Sequence, residues 1–88
     1  MVINIKDLKN KIIYRANYRG TKEMDNLLGS FTKKYIDQFD LKDLLLLSEL
    51  LNYDDENLYR FNQGLRLTIE ITDNKVSEMF KNFKYANE

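Results

Sequence analysis

Residues 21–38, with the sequence TKEMDNLLGSFTKKYIDQ, carry the clearest amphipathic pattern in this chain of 88 residues. Their apolar side chains recur at i, i+3, i+4, i+7 and i+11, which is the spacing of a single face on an α-helix. Those positions are Met24, Leu27, Leu28, Phe31 and Tyr35. Thr21 is placed to cap the helix, with acidic residues in the first turn where the helix dipole favours negative charge. The pattern predicts a helix from Thr21 to Gln38.

Helical periodicity continues on both sides of this stretch. Before it, an apolar stripe of Leu8, Ile12 and Ala16, widened by Ile13, predicts a helix over 6–18 that stops at Gly20. After it, Asp40 is placed to cap a third helix over 41–52. The centre of the core is expected from the leucines of this third helix, with Leu46 helping to close it: Leu44, Leu45, Leu47, Leu50 and Leu51.

The C-terminal third predicts two shorter helices. Asp54 and Asp55 mark the start of a fourth, which includes Leu58 and Phe61 and ends before Gly64. Thr72 or Asp73 is expected to cap a fifth, whose apolar face comprises Val76, Met79, Phe80 and Phe83. Residues 65–72 alternate apolar and polar, which favours an extended connection, with a helix as the alternative. The predicted fold is therefore all-α, a small five-helix bundle forming one domain over 1–88.

Composition excludes several classes of function. The chain has 14 basic and 14 acidic residues and lacks His, Cys, Trp and Pro. It therefore offers no imidazole base, thiolate nucleophile, disulfide or zinc–thiolate site. A net charge of zero argues against general nucleic-acid binding, because such affinity comes mostly from surplus Lys and Arg. Any enzyme activity would depend on carboxylate, Lys, Tyr or Ser/Thr chemistry, and a chain of this length has little room for a deep substrate cavity.

The compartment is also constrained by sequence. The first residues lack the apolar core of a secretory signal and the Arg-rich character of a transit peptide. The longest unbroken apolar run, Leu44 to Leu47, is far shorter than the roughly 20 residues of a membrane helix. We therefore expect a cytoplasmic protein that does not insert into a membrane.

Two clusters are candidates for function. Asp54, Asp55 and Glu56 could hold a divalent cation, but their spacing is not that of an EF-hand, and helix capping is the simpler interpretation. The junction over residues 14–25 combines a fork of Arg donors, a Gly that permits close approach and acids in a helix's first turn, which suits protein docking. Its alternative is a plain turn in which Arg19 pairs with Glu23 at i, i+4.

Two blocks of this sequence resemble the succinate dehydrogenase assembly factors of the SdhE type. Residues 19–31, RGTKEMDNLLGSF, match the motif R-G-x-x-E-x-D-x-L-L-G-x-F of that family. Residues 54–61, DDENLYRF, match its later block D-D-x-D-L-[YF]-x-W with two departures. Asn57 stands where the family usually has an acid, and Phe61 where it usually has Trp. The motif-bearing part is about 10–64, and 65–88 carry no motif that we match.

The resemblance implies a function in protein assembly. Such a chaperone binds the flavoprotein subunit of succinate dehydrogenase, and in some bacteria fumarate reductase, and promotes covalent flavinylation of that subunit with FAD on a His of the client. It implies no enzyme activity and no tightly bound cofactor, because FAD belongs to the client. By motif match the implied partner-binding residues are Arg19, Gly20, Glu23, Asp25, Asp54, Asp55 and Tyr59. Arg19 is the expected anchor on the client, and we expect a monomer in the free state, in the bacterial cytoplasm.

Two other functions remain open on sequence alone. One is a small helical regulatory or antitoxin-like module for protein–protein interaction, because a surface motif does not specify its partner. The other is a carboxylate-dependent enzyme.

Overall fold

The computed structural model describes residues 4–85, which form five α-helices. They are α1 (Ile5–Asn17), α2 (Lys22–Tyr35), α3 (Leu41–Leu50), α4 (Asp55–Gln63) and α5 (Lys75–Asn82), with a short 3₁₀ helix, Ile36–Gln38, between α2 and α3. Within residues 4–85 no strand forms, so the all-α prediction of a five-helix bundle is confirmed. The predicted helix over 21–38 is shorter than expected, because its last turn tightens into the 3₁₀ helix.

Side-chain caps determine where most helices begin. Thr21, Asp40 and Asp54 each accept a hydrogen bond from the backbone N–H three residues later, as predicted for α2, α3 and α4. The prediction for α5 was wrong by one or two residues. Asn74 is the cap, because it and Ser77 exchange hydrogen bonds in a capping box.

The core lies between the five helices. Its largest fully buried apolar side chains are Ile12, Leu28, Phe31, Leu44, Leu47, Leu58, Val76 and Phe80. Phe31 meets Phe80 and Phe83 edge to face at 5.3 and 5.4 Å between ring centroids. Two predicted core residues, Ile13 and Leu45, are instead 39% and 41% exposed.

The segment between α4 and α5 has no regular secondary structure, so the helical alternative for 65–72 is wrong. It bends at Thr68 and Ile69, which interrupts the predicted alternation. Ile71 is consequently buried, whereas Leu65 and Ile69 are exposed.

The longest helix in the described part of the chain, α2, has 14 residues, and none of α1–α5 is long and apolar enough to cross a membrane.

Candidate functional site

The turn between α1 and α2 is built around Gly20. Its φ of +114° lies in the region that L-amino acids with a side chain rarely adopt, which explains the glycine. A Cβ placed there would meet no atom within 4 Å, so the position faces open space. The turn therefore combines strained backbone geometry with an unobstructed surface.

The Arg19 side chain turns inward from this junction and contacts the turn between α3 and α4. Its Nε donates to Asp55 Oδ1 at 2.8 Å, and its two terminal nitrogens donate to the backbone carbonyls of Leu51 at 2.8 Å and Tyr53 at 2.9 Å. The Arg19 backbone N–H donates to the carboxylate of Asp25. Only 12% of the Arg19 side chain is exposed. One residue thus connects the two sequence blocks.

A second guanidinium lies beside the first. Arg15 donates to the carbonyl and hydroxyl oxygens of Ser48 and to the side-chain oxygen of Asn52. Burial, followed by the positive charge of Arg19, lowers the pKa of the Arg15 guanidinium from its ordinary value. Both arginines therefore attach the end of α1 to the end of α3. Sequence reasoning missed the role of Arg15, because its partners lie 33 and 37 positions further along the chain.

The start of α4 is held by a pair of polar side chains. Asp54 accepts hydrogen bonds from the side chain and backbone of Asn57, which hold the pKa of the Asp54 carboxyl below its usual range. Asn57 is buried and also exchanges hydrogen bonds with Thr68 in the following connection. Asn57, one of the two departures from the family motif, thus attaches the C-terminal segment to α4. Capping is confirmed as the role of Asp54.

A cleft of about 600 Å³ lies next to the junction, between the start of α2, the second half of α4 and the end of the described chain. Glu23 and Tyr59, one from each sequence block, both line it. Glu23 is exposed at the start of α2, and Tyr59 is 37% exposed. The other lining residues are Lys22, Asn26, Leu27, Asn62, Gln63, Lys84 and Tyr85.

The seven predicted residues fall into two groups. Arg19 and Asp55 join the two turns, Asp25 accepts from the Arg19 backbone and Asp54 caps α4, while Gly20, Glu23 and Tyr59 face solvent or the cleft. The alternative pairing of Arg19 with Glu23 does not form, since Arg19 pairs with Asp55. Across residues 4–85, no group of three or more acidic, His or Cys side chains is arranged to hold a metal ion.

Comparison with known proteins places this geometry in a family. The family model described as "Flavinator of succinate dehydrogenase" matches residues 10–84, which include both turns and the cleft-lining part of α4. The chain belongs to this flavinator family. The match extends about 20 residues past the two sequence blocks and takes in α5, for which the sequence showed no motif.

Curated relatives agree with the flavinator assignment. The chain is 31% identical over 81 residues to the "FAD assembly factor SdhE" of Wigglesworthia glossinidia brevipalpis, covering 91% of this chain and 93% of that protein. It is 29% identical over 86 residues to "Succinate dehydrogenase assembly factor 2, mitochondrial" of Culex quinquefasciatus, covering 94% of this chain and 54% of the relative. The protein of the same name in Drosophila grimshawi is 29% identical over 75 residues, covering 83% and 51%.

The chain spans about half the length of the mitochondrial relatives that it matches. No solved structure matches it significantly.

Proposed function

We propose that this chain is an assembly factor that binds the flavoprotein subunit of succinate dehydrogenase and promotes its covalent flavinylation with FAD. The observation that carries the proposal is the flavinator family match over residues 10–84. The bacterial relative named as an FAD assembly factor supports it, because the two chains align over nearly their whole lengths.

The proposed role is that of a chaperone without catalytic groups of its own. The sequence has neither His nor Cys, so the His that accepts the flavin and the flavin itself would belong to the client. The chain's own residues do not fit a resident FAD. Residues 4–85 contain no strand followed by a Gly-rich loop. The cleft next to the junction is open and is lined by charges of both signs.

The proposed client-binding region comprises both turns. Gly20 presents bare backbone, and Glu23 and Tyr59 present an exposed carboxylate and an aromatic ring beside it. Tyr is enriched among the residues that dominate protein interfaces, and an obstruction-free glycine permits close approach. Arg19, Asp25 and Asp55 support them through hydrogen bonds within the chain, and the exposed Asp54 completes the region at the start of α4.

Three further properties belong to the proposal. The free chain is a monomer, which size-exclusion chromatography with light scattering measures. Its compartment is the bacterial cytoplasm, in keeping with the relative from Wigglesworthia. The flavoprotein subunit of fumarate reductase is a second client to be tested in the same assay.

The test is flavinylation of a purified client. We expect the wild-type chain, added to the apo flavoprotein subunit with FAD, to increase flavin that remains on the subunit after denaturing electrophoresis. Glu23→Ala should reduce that fluorescence while leaving the free chain folded, because an exposed acid in a first turn contributes less than about 1 kcal/mol to stability. Gly20→Arg should reduce it by placing a side chain between the two proteins, at a cost of about 1–3 kcal/mol in strain.

A matched control is available in α5. Glu78 is also an exposed acid in the first turn of its helix, so Glu78→Ala makes the same change in charge in a comparable setting away from the junction. It should flavinylate the client at the wild-type rate. No increase with the wild-type chain would refute the proposed function and favour a regulatory, antitoxin-like interaction module instead.

A further inference from the structure

The Arg19 side chain at the junction already has all of its guanidinium nitrogens hydrogen-bonded within the chain. All three guanidinium nitrogens of Arg19 donate within the chain, to the Asp55 carboxylate and to the carbonyls of Leu51 and Tyr53, at 2.8–2.9 Å. An Arg side chain that grips a second protein would have to release these partners first. It would also leave the Asp55 carboxylate, whose side chain is 29% exposed, without its ion pair.

The residues that follow Arg19 face outward, whereas its own side chain points inward. Gly20 and Glu23, one and four positions later, are exposed, and nothing stands within 4 Å of a Cβ built on Gly20. Asp25 accepts from the Arg19 backbone N–H, so the first turn of α2 is attached to the same residue from the other side. Arg19 therefore connects the end of α1, the start of α2 and the turn between α3 and α4.

We propose that Arg19 is a positioning residue. It fixes the turn between α1 and α2 against the turn between α3 and α4, so that Gly20 and Glu23 meet the flavoprotein client together with Tyr59. Asp55 is its partner in this task and acts only through Arg19. The inference rests on the proposed function, and it replaces the expectation that the Arg19 guanidinium grips the client directly.

The first test uses the free chain and needs no client. Arg19→Ala, Asp55→Ala and the double variant are compared by urea unfolding. Because the two residues are in contact, the double variant should lose little more stability than the worse single variant. The pair of Arg60 and Glu56, 3.3 Å apart on one helix face, supplies a matched control cycle in which the two losses should nearly add, because a more exposed ion pair couples only weakly.

The second measurement on the free chain is amide hydrogen exchange by NMR. Arg19→Ala should speed exchange at the Met24 and Asp25 amides, which donate to Thr21, and Asp55→Ala should speed it at the same two amides, although Asp55 lies in another helix. Unchanged exchange there in both variants would overturn the proposal, whatever the client does.

The third test measures affinity for the client flavoprotein subunit, at a temperature where every variant is folded by circular dichroism. Arg19→Ala and Asp55→Ala should each weaken binding about tenfold or more, and the double variant should lie within about threefold of the worse single variant. Arg19→Lys should rescue partly, because Lys keeps the charge but lacks the three-nitrogen fork. Arg60→Ala should bind as wild type does.

Each other outcome of the binding test is decisive. If Asp55→Ala binds normally while Arg19→Ala does not, Arg19 contacts the client itself and the proposal is wrong. If both bind normally, the Arg19–Asp55 pair is structural only, and the proposal is again wrong. If the wild-type chain does not bind this client, the proposed function fails, and amide exchange in the free chain still decides whether Arg19 positions the first turn of α2.

Discussion

At the scale of single residues, Asp54 makes stability depend on pH. Hydrogen bonds from Asn57 lower the pKa of its carboxyl in the folded chain, so its contribution is present above the ordinary Asp value of about 4 and is lost as pH falls through the folded value. Asp54→Asn preserves the cap, because Asn is as good an N-cap as Asp, but removes the titration. We expect this variant to lose less stability than wild type between about pH 5 and pH 2 in urea unfolding.

Asp37 provides the control for this pH series. Its side chain is 90% exposed and lies 3.4 Å from Lys9, so Asp37→Asn makes the same substitution at a surface site and controls for the loss of one acid from the chain. Identical profiles for wild type and Asp54→Asn would show that the cap does not titrate as described.

Residue types in the site were easier to predict than their partners. The sequence motifs led to Arg19 and Asp55, but two of the three groups that Arg19 binds are the backbone carbonyls of Leu51 and Tyr53. A carbonyl is present at every position and leaves no trace in the sequence. The direction in which the guanidinium points therefore became evident only from the packing of two turns.

At the scale of elements, helix starts were well predicted because their signals are local. Thr21, Asp40 and Asp54 cap the helices that they precede. The fifth helix was misplaced because Thr72, Asp73 and Asn74 are all good caps, and only Asn74 has Ser77 at the third helical position to complete a box. Helix ends were less predictable, since tertiary contacts decide where the last turn tightens.

The buried side-chain amide of Asn62 attaches the end of α5 to α4. The Asn62 side chain in α4 donates to the carbonyls of Phe80 and Phe83 at the end of α5, each at 2.8 Å. Asn62→Ala removes both of these buried hydrogen bonds, and we expect it to reduce the free energy of unfolding by about 1–3 kcal/mol. Asn82→Ala is the control, because Asn82 is exposed and bonds only within its own helix. Equal urea midpoints for the two variants would contradict this role of Asn62.

At the scale of the whole molecule, stability depends on which leucines face the interior. Leu28 and Leu47 are fully buried in α2 and α3, so Leu28→Ala and Leu47→Ala should each cost about 2–5 kcal/mol. Leu45 lies two residues before Leu47 but is 41% exposed, and Leu45→Ala should cost less than about 1 kcal/mol. Thermal unfolding measures the stability of all three variants. A Leu45→Ala variant as unstable as Leu47→Ala would show that the buried face of α3 is assigned incorrectly.

The global fold was predictable because amphipathic spacing recurs along most of the chain. The error at Leu45 has a physical cause. Four consecutive leucines, residues 44–47, cover every side of a helical turn, so periodicity alone does not choose the buried face. That choice is made by α1 and α5, which pack against α3.

The contacts of Arg19 have a consequence for the order of folding. Its three partners lie 32–36 positions further along the chain, so these bonds close a long loop, whereas the helices form from neighbours. We expect the junction to assemble late, with a φ-value near zero for Arg19→Ala in stopped-flow kinetics. A nascent chain whose synthesis has not yet reached Asp55 would contain the motif over residues 19–31 but would lack the contact between Arg19 and Asp55. The proposed client would then be engaged only by molecules whose folding is complete.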